Sequence, residues 1–337
     1  MHEALIYQKL SGRTVRCSLC RHYCVIGAGG TGRCRVRKNI DGTLYSLVYG
    51  HLVAEHIDPI EKKPLFHFLP GSATYSIATV GCNFTCLHCQ NHAIAQFDTG
   101  SSDGIPGNLL EPEEIVRRAL HSGCRSVSFT YTEPTIFFEY ALDVAKLACR
   151  AGLKCIFVSN GYITPGALDM IAPFIHAANI DLKGFTEEFY KRVTGAHLAE
   201  VLECLLDYRK RGIWLEITTL IIPGENDDRK QLEDIALFIA DKLGVDVPWH
   251  VSRFFPQYKM LDHPVTSPST LSDAAAIAAR AGLRHVYEGN IQGGREDTIC
   301  HSCGTTVIQR QGFRVQTAGT FTGRCGNCGV EIAGVWE

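Results

Sequence analysis

Three cysteines in the first third of the chain have a spacing that suits a catalytic metal centre. Cys82, Cys86 and Cys89 form a Cys-x3-Cys-x2-Cys pattern directly after a predicted strand. Three thiolates on one short loop can ligate three irons of a cubane [4Fe–4S] cluster and leave the fourth iron open to another ligand. The alternative is a structural zinc loop in which His88 supplies the fourth ligand. We disfavour it because His88 lies between two of the thiols, where a closed zinc finger places no ligand.

Four cysteines near the C-terminus predict a closed metal site. Cys300-x2-Cys303 and Cys325-x2-Cys328 are two knuckles, and a glycine follows the second cysteine of each. This is the pattern of a zinc ribbon, in which four thiolates surround one tetrahedral ion that replaces the core a short segment cannot build. A single iron, as in rubredoxin, is the alternative occupant, and disulfides are disfavoured in a reducing cytosol. We expect zinc and a structural role, because all four positions are filled.

Four N-terminal cysteines form a third and less specific group, Cys17, Cys20, Cys24 and Cys34. Four thiolates again close the site, so we do not expect catalysis at this metal. Zinc and an auxiliary [4Fe–4S] cluster are both chemically possible. The sequence favours zinc, because the fourth ligand lies on a glycine-rich loop of knuckle character.

Composition agrees with metal centres in an intracellular enzyme. The chain has 15 cysteines among 337 residues, and 11 of them belong to the three groups. No basic and apolar leader marks a secretory signal, so metal binding is favoured over a disulfide framework and we expect a cytoplasmic protein. The net charge of −2 gives no global bias toward nucleic acid. Every apolar run is shorter than the ~20 residues of a membrane span, so we expect no membrane partner.

The elements that must position the central cysteines alternate between strands and helices. Strands are predicted at 75–80, 126–131, 154–159, 178–182, 214–222 and 249–254, with a weaker candidate at 284–287. Such alternation predicts a parallel sheet, either open or closed into a barrel. In both cases the functional residues belong at the carboxyl ends of the strands.

The central loop, residues 81–91, resembles the signature of the radical S-adenosylmethionine (SAM) superfamily, with His88 in its aromatic position. Further motifs follow in the order of that superfamily, at 128–135, 159–161, 179–183, 221–227 and 250–256. The segment 58–65 and the cysteine modules at both ends are similar to the radical SAM member of the AmmeMemoRadiSam group. That group is related to pyruvate formate-lyase activating enzymes, and the match spans about residues 55–295.

The resemblance implies a fold class and a reaction. The expected α/β fold is a partial (β/α)6 radical SAM barrel over residues 71–296. It is preceded by a four-cysteine module with lead-in strands (1–70) and followed by a zinc-ribbon-like module (297–337). The expected reaction is reductive cleavage of SAM at the [4Fe–4S] cluster, followed by hydrogen abstraction from an unidentified substrate by the 5′-deoxyadenosyl radical.

The resemblance also implies residues that bind SAM or the substrate. These are His88, Thr132, Glu133, Ser159, Asn160, Asp181, Lys183, His250 and Arg253. Three pairs of them have a structural alternative. Asp181 and Lys183 can form a strand-end salt bridge without a ligand, Ser159 and Asn160 can simply make a turn, and His250 and Arg253 can be half-exposed strand residues.

The resemblance to radical SAM enzymes also implies partner proteins, and the sequence leaves alternative functions open. A flavodoxin- or ferredoxin-type electron donor is expected, with AmmeMemo-type proteins as further partners. One alternative function is activation of a glycyl-radical enzyme; a remote one is a non-catalytic, metal-bearing scaffold or nucleic-acid-binding protein. We predict that both terminal modules narrow the barrel mouth, and that the substrate is small or is a protein segment delivered by a partner.

Overall fold

A single eight-stranded sheet forms the centre of the fold in the computed structural model, which describes residues 1–97, 104–316 and 321–337. Its strands are β1 (Ala54–Pro59), β2 (Ala73–Ala78), β3 (Ser126–Phe129), β4 (Lys154–Ser159), β5 (Ala177–Asp181), β6 (Trp214–Ile221), β7 (Trp249–Arg253) and β8 (Val286–Gly289). They lie side by side in chain order, from β1 at one edge to β8 at the other. Strands β2 to β8 are parallel, and β1 is antiparallel to β2.

The predicted mixed α/β fold with a central parallel sheet is confirmed. All six main strand candidates are present, and the weaker candidate at 284–287 corresponds to β8, the seventh parallel strand. Strand β3 is buried along its whole length, as expected for a parallel strand covered on both faces. We call the carboxyl ends of β2 to β8 the mouth and their amino ends the floor.

Helices cover the sheet. The longer ones are α1 (Pro112–His121), α2 (Phe138–Arg150), α3 (Pro165–Ile171), α4 (Leu198–Lys210), α5 (Arg229–Phe238) and α6 (Pro268–Arg280). Short helical segments are His92–Ala95, Glu187–Phe189, Ser11–Arg13, Ile60–Lys62, Pro134–Phe137, Ala172–Phe174, Tyr190–Thr194 and Ile239–Leu243. Local sequence sets their starts. The Ser267 hydroxyl accepts the backbone N–H of Thr270 at 3.1 Å, and Pro268 opens α6. None of the helices in the described ranges is long and apolar enough to cross a membrane.

Short strands build the two terminal modules and one small ribbon. The N-terminal strands are His2–Glu3, Tyr7–Lys9, Val15–Cys17, Val25–Ile26, Arg37–Ile40 and Thr43–Ser46. The C-terminal strands are Thr298–Ile299, Thr306–Ile308, Arg310–Gln311 and Arg314–Val315. Strand His51–Leu52 pairs with Asn108–Leu109.

The N-terminal module packs on the mouth. The His22 ring nitrogen Nε2 lies 2.8 Å from the Asn83 carbonyl oxygen, on the loop after β2. The Arg21 backbone N–H donates to the Tyr162 carbonyl at 2.9 Å, in the loop after β4. Both contacts are made to carboxyl ends of strands, so this module borders the face where the functional residues were predicted.

The floor is closed by the segment between β1 and β2. Pro59 pairs with Ala73, the first residue of β2, so residues 60–69 begin at the amino ends of the strands. The backbone N–H groups of Phe66 and His67 donate to the Glu216 carboxylate at 3.0 and 2.8 Å. Glu216 is completely buried, and these bonds satisfy polar atoms that would otherwise be costly to bury.

The C-terminal module packs beneath this segment. The Arg310 guanidinium donates to the Phe66 carbonyl at 2.7 Å, and the Leu69 N–H donates to the Val335 carbonyl at 2.7 Å. The prediction that both modules narrow the mouth is therefore wrong for this module. Strand β8 ends at the mouth, and the chain after it folds back, so that the Glu288 backbone N–H donates to the Arg295 carbonyl at 3.0 Å before the C-terminal module begins.

Candidate functional site

The loop with Cys82, Cys86 and Cys89 starts on a glycine that its surroundings require. Gly81 has a φ of 99°, and a Cβ atom there would lie 2.7 Å from the Val36 side chain. The Thr85 N–H donates to the Thr194 carbonyl at 2.8 Å, which ties the middle of the loop to the segment before α4. The loop is thus held from the N-terminal module on one side and from the mouth on the other.

The three thiols, those of Cys82, Cys86 and Cys89, lie on the loop that follows β2. Burial raises the pKa of each of them, and it raises that of Cys86 to about 12. Glu133 and the other two thiols raise the pKa of Cys82 further. A buried, protonated thiol is a poor metal ligand. A bound metal ion favours the thiolate, so the thiol loses its proton when the metal binds. The donor set therefore fits a metal group that binds three separate thiolates.

A hydrogen-bond network connects this loop to the ends of β3 and β4. The Asn160 side-chain amide donates to Asn83 Oδ1 at 2.7 Å, and the Asn160 backbone N–H donates to Glu133 at 2.9 Å. Glu133 also accepts from the hydroxyls of Ser159 at 2.8 Å and Thr135 at 2.6 Å. Both oxygens of this buried carboxylate are occupied, so Glu133 holds two strand ends together.

Three buried polar atoms around the loop have no hydrogen-bond partner. They are His88 Nε2, Asn83 Nδ2 and Asn160 Oδ1. Unpaired buried polar groups are rare and each asks for an explanation, of which a missing ligand is one. Their position beside the three thiols fits a site that receives a polar molecule next to an iron–sulfur cluster.

Asp181 and Lys183 form an ion pair at the end of β5. Lys183 Nζ lies 2.8 Å from Asp181 Oδ2. Burial opposes the charge of Lys183, but Asp181 and the neighbouring Cys86 outweigh it and raise the pKa of the amine. The Lys183 backbone N–H donates to the Tyr190 hydroxyl at 3.0 Å. A fixed positive charge is thereby placed beside the three thiols.

His250 does not join the other predicted site residues. It is the second residue of β7, and its Nε2 lies 2.7 Å from the buried carboxylate of Glu216. The ring also packs edge-on against Phe66, which lies in the floor segment. The expectation that His250 contacts the cofactor or substrate therefore needs correction, because its depth along the strand directs it into the floor.

Arg253 and Thr132 do lie at the mouth. Arg253 ends β7, its Nε donates to the Thr266 carbonyl at 2.7 Å, and its guanidinium carbon lies over the ring of Phe255, 5.2 Å from the ring centre. The Thr132 hydroxyl donates to the Thr79 carbonyl at 2.9 Å, so it braces the strand before the cysteine loop.

Asn83 and His22 were not anticipated. Asn83 lies inside the cysteine motif, so its position was visible in the sequence, but its bond to Asn160 spans 77 residues of chain. His22 belongs to the N-terminal module, and no local pattern predicts that it reaches the Asn83 carbonyl.

The two terminal cysteine groups differ in geometry. The ligand atoms of the C-terminal group all lie within 4.8 Å of one another, which makes a compact four-thiolate metal-binding site of Cys300, Cys303, Cys325 and Cys328. In the N-terminal group burial raises the pKa of Cys20, and the thiols of Cys17, Cys34 and Cys24 raise it further. These four cysteines do not form such a compact group, and neither do any other three ligand atoms in the described ranges.

Comparisons with known proteins place this site in a family. The sequence profile of the Radical SAM superfamily matches residues 76–239. An uncharacterized protein of Methanocaldococcus jannaschii is 43% identical over 335 residues, which cover 98% of this chain and 99% of that protein. Pyruvate formate-lyase-activating enzyme of Clostridium pasteurianum is 24% identical over 181 residues, covering 50% of this chain and 72% of the relative.

A solved structure agrees at the level of the fold. The radical SAM methyltransferase from Sphaerobacter thermophilus matches with a TM-score of 0.51 and 17% identity, over 70% of this chain and 71% of that one. The matched profile contains the cysteine loop and the strand ends that surround it. The chain therefore belongs to the radical SAM superfamily of enzymes and is related to pyruvate formate-lyase-activating enzymes.

Proposed function

We propose that the loop of Cys82, Cys86 and Cys89 binds the [4Fe–4S] cluster and SAM, and that the enzyme removes a hydrogen atom from a substrate at the mouth. When bound, the cluster supplies one electron to SAM, which yields methionine and a 5′-deoxyadenosyl radical that abstracts the hydrogen atom. The observation that carries this proposal is that three thiols share one loop and three unpartnered polar atoms lie on or beside that loop.

The unpartnered atoms match the polar end of SAM. Asn160 Oδ1 is a free acceptor and suits the ammonium group, whereas Asn83 Nδ2 is a free donor and suits the carboxylate. Burial lowers the pKa of His88 to about 3, so its ring stays neutral and Nε2 presents one uncharged contact. Ser159 and Glu133 act indirectly, because they fix the Asn160 backbone.

The charged residues at the mouth favour an anionic substrate or an anionic part of SAM. Lys183 carries a positive charge whose field lowers the pKa of Cys86, so it also stabilises a thiolate ligand. Among the described residues, the Arg253 guanidinium has one hydrogen-bond partner, the Thr266 carbonyl, which it reaches through Nε. The two terminal nitrogens of this guanidinium can therefore bind a carboxylate or phosphate.

A small molecule, or a protein segment delivered by a partner, remains our proposed substrate. The N-terminal module contacts the loops after β2 and β4 and thereby covers part of the mouth. Activation of a glycyl-radical enzyme is the second candidate function. It is supported by relatives that are named as activating enzymes. One of them, a putative glycyl-radical enzyme activating enzyme of Methanocaldococcus jannaschii, is 26% identical over 61% of this chain. Appearance of a glycyl-radical EPR signal in a candidate partner would decide for it.

We also propose zinc for the C-terminal cysteines, a flavodoxin- or ferredoxin-type electron donor, AmmeMemo-type partner proteins and a cytoplasmic location. A tetrahedral ion with bonds of ~2.3 Å to sulfur requires neighbouring sulfurs about 3.8 Å apart. The Cys300–Cys328 and Cys303–Cys325 sulfur pairs are each 3.6 Å apart, which supports a four-thiolate ion.

The test is anaerobic reconstitution with iron and sulfide, followed by dithionite and SAM. We expect equal amounts of 5′-deoxyadenosine and methionine. The Asn160→Ala variant should need more SAM for half-maximal rate, whereas Asn108→Ala, at an exposed position of a short strand, should not. A reconstituted protein that holds its cluster but forms no 5′-deoxyadenosine would overturn the proposal.

A further inference from the structure

A lysine of the floor segment is buried beside a carboxylate that it has to share. The Lys63 side chain is 2% exposed, and its Nζ lies 2.7 Å from Asp58 Oδ2. The other oxygen of this carboxylate lies 2.8 Å from the ammonium of Lys62. Among the described residues, Asp58 is the one anion paired with Lys63. A buried cation that shares its anion is costly unless a further negative group approaches it.

The register of the strands places this ion pair on the inner face of the sheet, which the floor segment covers. Asp58 of β1 is paired with Thr74 of β2. Residues paired in register have side chains on the same face, and the pairing leads through β3 and β4 to Asn179 and Glu216. The Asn179 side-chain amide donates to the Pro64 carbonyl at 2.8 Å, and Glu216 accepts from the same segment. The ammonium of Lys63 therefore lies between the inner face and the floor.

Tyr131 connects this ammonium to the cysteine loop. It lies two residues after β3, and its φ of 65° is a strained conformation of the kind that clusters at functional sites. Its carbonyl accepts from Asn91 Nδ2 at 2.7 Å, and its hydroxyl donates to Asp58. The Lys63 ammonium lies over its ring, 4.4 Å from the ring centre. The ammonium is thus one tyrosine side chain away from the loop that carries the three thiols.

Two buried hydroxyl groups on the same face have no hydrogen-bond partner. Ser76 lies on β2, and Ser126 lies on β3 in register with Thr74. Both serines are completely buried, and unpaired polar groups in such places are rare. Lys63 also has donors to spare, because an ammonium has three N–H groups and Asp58 is its one acceptor among the described residues. These groups together can donate hydrogen bonds to an oxyanion.

We propose that Lys63 binds an oxyanion, the carboxylate or phosphate of a small organic molecule, and so orients that substrate with its reacting C–H bond toward the mouth. This substrate class rests on the proposed function and adds to it. Asp58 and Tyr131 act as positioning residues, because they hold the ammonium in place. Burial, and after it the charge of Lys62, lower the pKa of Lys63 to about 8, although the bond to Asp58 opposes them. The ammonium is therefore charged at neutral pH, and a bound oxyanion would stabilise that charge.

Burial favours a small molecule over a protein segment. The Lys63 ammonium is bordered by the Tyr131 ring and the floor segment, so a narrow terminal group fits this position better than a backbone loop. SAM is proposed to lie beside the cysteine loop, where Asn83 suits its carboxylate. Lys63 is thus left for the anion of the second reactant.

Deuterium transfer tests this substrate class. Cells that carry this protein are grown in heavy water, and their small-molecule extract is divided by anion exchange into retained and unretained fractions. The reconstituted full chain receives dithionite, one fraction, and SAM labelled with carbon-13 in its ribose. Mass spectrometry then counts deuterium only in 5′-deoxyadenosine that contains carbon-13. We expect deuterium from the retained fraction, and deuterium mainly from the unretained fraction, or from neither, would overturn the substrate class.

Phosphatase treatment distinguishes the two sources of the oxyanion. If the retained fraction loses its deuterium transfer after treatment, the anion is a phosphate monoester. If transfer survives, the anion is a carboxylate. A chain that forms no 5′-deoxyadenosine with any fraction would contradict the proposed function, whereas unlabelled 5′-deoxyadenosine from both fractions contradicts the substrate class alone.

One replacement and its matched control locate the oxyanion. At a low concentration of the retained fraction, Lys63→Met should reduce deuterium transfer about 10- to 100-fold, because a hydrogen bond to a charged group is lost. A higher concentration should restore much of it, and Lys63→Arg should recover part of the transfer. The control Lys62→Met removes the 45% exposed partner of the same carboxylate and should change transfer at most about fivefold.

Three results with these variants would overturn the role of Lys63. The first is wild-type transfer by Lys63→Met, and the second is an equal loss in Lys63→Met and Lys62→Met. The third is a higher SAM concentration for half-maximal cleavage in Lys63→Met, which would assign the lysine to SAM. If Lys63→Met does not fold, the comparison of the two fractions still decides the substrate class.

Discussion

The N-terminal and C-terminal modules each carry four cysteines, but they lie at opposite ends of the parallel strands. The N-terminal module lies at the mouth against the cysteine loop of residues 81–91, which we propose is the catalytic loop. The C-terminal module lies at the floor, and its sulfurs are at the distance of a single tetrahedral ion. The difference teaches that a four-cysteine pattern alone does not define a role, because one module borders the proposed site and the other lies at the far ends of the strands.

The two modules are also attached differently. Arg37 of the N-terminal module forms a completely buried ion pair with Glu139 of α2. Glu139 also accepts the Leu5 N–H at 3.0 Å, so one carboxylate joins two parts of the module to the sheet. The C-terminal module relies on Arg310, whose guanidinium bonds to the Phe66 carbonyl and to the Thr298 hydroxyl at 2.7 Å each.

The largest effect is expected at the catalytic loop, which offers three cysteines where each terminal module offers four. Cys86→Ala should abolish 5′-deoxyadenosine formation, because one iron of the cluster loses its ligand. Zinc content, measured by mass spectrometry of the purified variant, should stay at the wild-type level. A variant that cleaves SAM at the wild-type rate would break the distinction between this loop and the closed modules.

The next effect separates the floor module from catalysis. Cys325→Ala should lose one zinc and unfold the segment after residue 297, since a structural zinc site contributes on the order of 10 kcal/mol to its fold. Hydrogen exchange should show this loss of protection, while SAM cleavage persists. If SAM cleavage disappears while zinc is retained, the ribbon takes part in chemistry and the contrast with the mouth fails.

A third effect tests how the mouth module is anchored. Glu139→Gln leaves the buried Arg37 charge uncompensated and should lower the free energy of unfolding by about 3–5 kcal/mol. The control Glu203→Gln removes the 67% exposed partner of Arg21 and should cost at most about 1 kcal/mol. Urea denaturation measures both, and equal values for the two variants would show that the buried pair does not anchor the module.

The smallest effect concerns the direct contact between the mouth module and the catalytic loop. Burial lowers the pKa of His22 to about 4, so the ring is neutral when it bonds to the Asn83 carbonyl. His22→Phe keeps the ring packing and removes the bond, which should cost about 0.5–1.5 kcal/mol. Thermal denaturation and the rate of SAM cleavage should both decrease slightly, and an unchanged rate with an unchanged Tm would make this contact dispensable.

Local patterns predicted the parts of the fold and site that depend on neighbouring residues. Strand–helix alternation predicted the parallel sheet, which is confirmed, and cysteine spacing alone led to the proposed site at Cys82, Cys86 and Cys89. The contacts of His22 and Glu216 were not predictable, because each joins segments that are far apart in the chain. His250 was misplaced for a related reason, since the sequence does not reveal how deep along a strand a side chain lies.

The floor carboxylate has a consequence for biosynthesis. Glu216 accepts the N–H of Phe66, which is 150 residues earlier in the chain. At about 5–20 residues per second, the ribosome adds those residues in roughly 8–30 s. During that interval the segment that closes the floor has no carboxylate to bind. We therefore expect that the sheet cannot fold completely until β6 has been translated. The nascent chain should depend most on chaperones during this interval.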